Sequence, residues 1–255
     1  RHGMAVRCHE RGMGHVTRQA ALISAVLIAL LVQSASAATL VFLSDRDPET
    51  ESHDIFVLSD PDAGPTRLTS GLVWNPAPFP DGRIAYVPNS GGIFVLDVKD
   101  GSSLPLYSER TARHPTISSD GRWMLFAERD PVGPECPTDP GAAHDWAPEG
   151  CNYLYRLELS TLVRTRIAAS PGRMYQGFYS PDLSMIAFVH RPQHGYPPDT
   201  GVLMVMRVDG TDRRVLHEGP VDRHCSWSPD GSRILFSHQY DLWTAETATG
   251  NLVRL

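Results

Sequence analysis

Lysine is nearly missing from this chain: Lys99 is the only one, and arginine supplies the rest of the 23 basic residues. That imbalance reads as codon bias, not chemistry. The arginines form no basic stripe, and the formal net charge is −6. An acidic surface of this kind argues against nucleic acid and against anionic membrane surfaces as partners. Catalytic signatures are missing too. There is no Gly-x-Ser-x-Gly, no His-Glu-x-x-His and no glycine loop to cradle phosphate, so the residues by themselves lead to the expectation of a non-enzyme. Only four cysteines occur, with no Cys-x-x-Cys spacing, and no metal or cofactor is expected. The acidic stretch Asp45–Asp54 offers hard oxygens of the kind Ca²⁺ takes, but without fixed ligand spacing.

One long apolar run is present, Ala20 to Val32. Arg18 precedes it and Ala35-Ser36-Ala37 follows as a small-residue cleavage site. This is the pattern of a secretory leader, shorter than a membrane span. Met13 gives that leader ordinary proportions, and no cysteine follows it to carry a lipid. Residues 1–37 are therefore set apart from a domain over 38–255, and no membrane span is expected after cleavage. Their removal takes away four Arg and one Glu, which moves the net charge from −6 to −9. A periplasmic or secreted bacterial protein, monomeric, is the expectation. In an oxidising compartment Cys136 and Cys151, which bracket a Pro/Gly/Asp-rich loop, are expected to form a disulfide. Cys225, two residues before Trp227, reads as a buried free thiol.

The most informative feature is a repeated phrase: Phe79-Pro80-Asp81-Gly82, Ser118-Ser119-Asp120-Gly121, Ser180-Pro181-Asp182-Leu183 and Ser228-Pro229-Asp230-Gly231. Proline presets φ, aspartate bonds its own backbone, and glycine takes the left-handed conformation, so each phrase is a tight turn between strands. A strand precedes each turn and three follow it. Four short antiparallel strands per unit, repeating about every 40 residues, predict the blades of an all-β propeller. Five copies are visible, at about 40–69, 74–107, 114–167, 175–216 and 224–255. The first shows no inner strand ahead of it. Spacings of 39, 62 and 48 residues between successive turn aspartates place inserts at 131–150 and about 192–201.

Ser-Pro-Asp-Gly, an apolar strand, the Ser44-Asp45-Arg46-Asp47 loop, the strand Asp54-Ile-Phe-Val-Leu58 and Thr66-Arg-Leu-Thr69 together resemble the TolB-type β-propeller repeat. The likeness covers Leu40 to Leu255. TolB's α/β domain ahead of the blades has no counterpart here. Propellers of that family are six-bladed, which implies a longer polypeptide, a truncated six-bladed ring. The resemblance implies an exported binding protein that offers one face of the ring to a protein, peptide or glycan. The alternative is the gating propeller of a serine peptidase resembling the prolyl oligopeptidase family, with its hydrolase domain beyond residue 255.

Propellers gather two sets of loops on one face: those leading into the inner strands and those between second and third strands. The first set offers Trp74, Arg113, His114, Tyr175, Gln176, Arg223 and His224; the second offers Arg46, Arg129 and Arg191. Arginine forks onto carboxylates and aromatic rings give rigid contact area, so these residues are the candidates for an anionic ligand or acidic peptide at the channel mouth.

Overall fold

The computed structural model describes residues 30–34, 37–44, 53–60, 62–130, 151–168, 173–191 and 200–255, which contain strands, turns and loops but no helix. The first blade consists of β1 (Leu30–Ser34), β2 (Ala37–Ser44), β3 (Asp54–Leu58) and β4 (Thr66–Arg67). The second holds β5 (Val73–Pro78), β6 (Ile84–Pro88), β7 (Ile93–Leu96) and β8 (Ser103–Tyr107). The third holds β9 (Arg113–Ile117), β10 (Trp123–Asp130), β11 (Cys151–Glu158) and β12 (Arg164–Ala168). The fourth runs through β13 (Arg173–Tyr179), β14 (Met185–Arg191), β15 (Thr200–Arg207) and the first half of β16 (Arg214–Trp227). The second half of β16 opens the fifth, followed by β17 (Arg233–His238), β18 (Asp241–Glu246) and β19 (Leu252–Arg254). Strands within each blade pair antiparallel in chain order.

The blades stand against one another because their middle strands, such as β6 and β14, are apolar on both sides, while outer strands such as β4 and β19 are exposed. Along β14, Ile186 and Phe188 join the core shared with blade three, while Ala187 and Val189 join the core shared with blade five. Along β6, Ile84 and Tyr86 face blade one, while Ala85 and Val87 face blade three. The period of two along a strand turns one sequence into two packing surfaces. Four apolar clusters result, one at each junction between successive blades. Cys225 lies in the cluster between blades four and five as a free thiol whose pKa burial pushes up to about 12.

The repeated turns are stapled by serine. Ser118, Ser180 and Ser228 each donate Oγ–H to the aspartate two residues on, at 2.5–2.6 Å. Each accepts, at 2.9 Å, the backbone N–H five residues on. Gly121 and Gly231 hold φ of 70° and 71° there, and Leu183 must adopt φ 59° at the equivalent place.

Two differences from the sequence reading concern strand boundaries. The first copy does have an inner strand: β1, from the end of the apolar run, pairs with β2 from Leu30↔Val41 to Ser34↔Ala37. The rest of the expected leader, 1–29 with 35 and 36, lies outside the described residues. Blades four and five, read as separated by a loop, share one continuous strand. Val221 in mid-β16 pairs with Gly201 on one side and with His238 on the other, so the link stays extended. Arg46, Cys136 and the inserts at 131–150 and 192–199 lie outside the described residues, and with Cys136 the expected bridge to Cys151. Among the described residues no helix is long and apolar enough to cross a membrane.

Candidate functional site

Of the predicted channel-mouth residues, His114, Tyr175, Gln176, Arg223 and His224 sit in β-bulges of the inner strands, and Trp74 and Arg113 hold the ladder pair just before the bulge of theirs. Four consecutive inner strands carry such a bulge at the same place. In β5, Asn75 and Pro76 oppose a single residue of β6, between the pairs Trp74↔Val87 and Ala77↔Ala85. In β9 the extra residues are His114 and Pro115, between Arg113↔Ala127 and Thr116↔Leu125. In β13 they are Tyr175 and Gln176, between Met174↔His190 and Gly177↔Phe188. In β16 they are Asp222, Arg223 and His224, between Val221↔His238 and Cys225↔Phe236. A bulge re-aims side chains off the regular pleat, and bulges concentrate beside functional sites. Asn75 and His114 reach this geometry through left-handed backbone, φ 50° and 55°.

Counting back from the turn aspartates, Asn75, His114, Gln176 and His224 occupy the same place in their blades. Hydrogen bonds join three of these blades. The Gln176 amide Nε2 donates to the Pro115 carbonyl at 3.4 Å, and His224 Nδ1 meets Gln176 Oε1 at 3.1 Å. An amide oxygen only accepts, so His224 Nδ1 is the donor in this contact. Below, Thr116 Oγ1 donates to the Gly177 carbonyl at 2.5 Å and Trp227 Nε1 to the Phe178 carbonyl at 2.9 Å. The inner strands of blades three to five are thus held side by side, which fixes the ring above them.

Arg113 flanks this ring. Its Nη1 donates to the carbonyls of Arg110 and Ala112 at 2.6 and 2.8 Å, and it meets no carboxylate among the described residues. Burial and the neighbouring Arg110 charge hold its pKa below the usual guanidinium range. A half-buried cation compensated only by carbonyls favours an incoming anion. Tyr175 is buried, its hydroxyl has no hydrogen-bond partner among the described residues, and its ring meets His114 edge-on with centroids 6.3 Å apart. Trp74 contacts His53 across the first junction at 5.4 Å.

The other candidates lie elsewhere. Arg129 and Arg191 end the second strands β10 and β14, one strand outward from the bulges. The Arg223 side chain is outside the described residues. Residues without any sequence signal hold blades two and three together: the Tyr107 hydroxyl donates to Glu128 Oε2 at 2.8 Å, and Arg164 pairs with Glu128. Two grooves also occur, about 350 Å³ between blades one and two and about 620 Å³ beside the turns of blades four and five. The second is acidic, but its Asp182 and Asp230 are already satisfied by Ser180 and Ser228.

No protein-family model and no curated protein sequence matches the chain. Solved structures do. An oligogalacturonate lyase in complex with manganese superposes with TM-score 0.61 at 20% identity, covering 85% of this chain and 61% of the lyase. The puromycin hydrolase S511A mutant matches with TM-score 0.61 at 17% identity over 85% of this chain and 37% of that one. The putative TolB from Agrobacterium tumefaciens matches with TM-score 0.58 at 21% identity over 76% and 67%. The chain therefore spans less than two thirds of the lyase and of the hydrolase. At these identities the likeness defines one class: the protein is a β-propeller with four-stranded antiparallel blades. The lyase and the hydrolase also correct the expectation of a non-enzyme, because propellers that superpose on this one belong to enzymes. A missing contiguous motif does not exclude a site assembled from single residues of several blades. Among the described residues no three His, Cys, Asp or Glu side chains converge as a metal site.

Proposed function

We propose that this chain is a TolB-like propeller serving an enzyme, and that the bulge ring binds a carboxylate-bearing substrate. The observation that carries it is Arg113, a half-buried guanidinium with no carboxylate partner among the described residues, next to His114 on β9 and linked through Gln176 on β13 to the His224 imidazole on β16. The ligand class is an acidic sugar, with oligogalacturonate as the first compound to test, in view of the solved lyase. Arg113 would pair with the uronate carboxylate and thereby acidify the neighbouring C–H. A neutral imidazole, His224 first, would take that proton; the C–O bond one carbon further breaks, the departing sugar oxygen takes a proton from water and leaves as a hydroxyl, and a C=C bond forms. Incubation with oligogalacturonate should produce ultraviolet absorbance from the unsaturated uronate, lost in His224→Ala. No absorbance change with either wild type or variant rejects the lyase reading.

A peptidase-gating propeller is the second reading, favoured by the match to puromycin hydrolase over 37% of that chain. It requires a Gly-x-Ser-x-Gly on a strand–turn–helix encoded in the same reading frame.

A further inference from the structure

The loop that leads from β8 into β9 carries a second arginine, Arg110. Its carbonyl accepts the 2.6 Å hydrogen bond from Arg113 Nη1, so the two residues touch. The loop between β6 and β7 holds Arg110 in place. Arg110 Nε donates to the Ser90 carbonyl at 3.1 Å. Gly91, at φ 82°, packs so closely that a Cβ built there would lie 2.6 Å from the Arg110 carbonyl oxygen. Arg110 is exposed, and with Nε engaged its two Nη groups have no partner among the described residues. Burial and the Arg110 charge together lower the Arg113 pKa, so the two cations lie within electrostatic reach of each other. Like charges held this close without a carboxylate repel one another, and an anion lying over both relieves the repulsion.

We infer that Arg110 is a second carboxylate-binding residue of the channel mouth, and that the site therefore selects an acidic oligomer, with carboxylates on successive units, over its monomer. This rests on the reading of Arg113 as the group that takes a carboxylate, and adds to it a preference for length. Arg113, half-buried, takes the carboxylate of the unit at the bulge ring. Arg110, exposed in the entry loop, takes the carboxylate of a neighbouring unit. Guanidinium groups meet carboxylates through paired N–H bonds, and the Nη pair of Arg110 is the edge left for that contact. The Ser90 anchor at Nε reduces the side-chain freedom lost on binding. Since Arg110 stands in water, salt screens its contribution more than that of Arg113.

The test is calorimetric titration of galacturonate and of trigalacturonate into the full chain at low ionic strength. Wild type should bind the trimer about tenfold or more tightly than the monomer. Arg110→Ala should weaken the trimer by about tenfold and leave the monomer within about twofold, whereas Arg113→Ala should weaken both. The methyl ester of the trimer, which keeps the length and loses the charges, should bind wild type and Arg110→Ala alike. Melting curves confirm the fold of each variant. A preference for the trimer that survives Arg110→Ala, or equal affinities for trimer and monomer in wild type, overturns the role of Arg110 and leaves the Arg113 site standing. Failure of wild type to bind either sugar rejects both.

Discussion

The Tyr107 hydroxyl, on the outer strand of blade two, donates a 2.8 Å hydrogen bond to Glu128 Oε2 in blade three. Glu128 is buried and also pairs with Arg164, whose Nη1 lies 2.7 Å from the Tyr107 oxygen. Removing the carboxylate leaves a phenol and a guanidinium facing each other. Glu128→Ala should cost about 2 kcal/mol, discounted because Arg164 is half exposed, and lower Tm by about 4–8 °C. Tyr107→Phe should cost about 1 kcal/mol. Thermal denaturation of both variants checks the ranking.

The serine-stapled turns predict an acid limb in stability. Hydrogen bonds from Ser228 and Ser232 lower the Asp230 pKa to about 2, and Asp120 and Asp182 shift the same way through Ser118 and through Ser180. A carboxylate whose folded pKa lies below its unfolded value of about 3.9 stabilises the fold above that pH. The contribution fades as pH falls from about 4 toward 2. Asp230→Asn should flatten that part of a Tm-against-pH curve; an unchanged slope contradicts the staple.

Leu183 occupies the left-handed position that glycine takes in the three sister turns, at φ 59°. Releasing a penalty of about 1–2 kcal/mol, offset in part by the greater freedom of unfolded glycine, Leu183→Gly should leave Tm level or raise it by a few degrees. A clear fall in Tm would show that the leucine side chain contributes more than its backbone costs.

For the loop between Cys136 and Cys151, outside the described residues apart from the Cys151 backbone, an oxidised protein should melt higher than the reduced one. Closure of a loop of this length is worth about 3 kcal/mol. Cys136→Ser should match the reduced wild type, and identical melting of oxidised and reduced wild type would exclude the bridge.

Much of the fold was legible because its causes are local. Alternating apolar residues such as Ile186-Ala187-Phe188-Val189 declare a strand buried on both sides, and Ser228-Pro229-Asp230-Gly231 declares the turn that precedes the next strand. What stayed hidden depends on distant residues. The continuity of β16 arises because Val221 finds partners in two blades, and the Tyr107–Glu128 contact joins positions 21 residues apart. The candidate residues of the inner strands were found by blade position alone. Their bulges were not foreseen, since the hydrophobic pattern of a strand does not announce one extra residue.

The decisive measurement is calorimetric titration of trigalacturonate into the wild type, Arg113→Ala and His224→Ala. Binding by wild type, weakened about tenfold or more in Arg113→Ala with the melting curve preserved, is the expected result, since a hydrogen bond to a charged group contributes about 1.5–3 kcal/mol. Affinity unchanged by either substitution would place the ligand away from the inner-strand bulges and contradict the channel-mouth site.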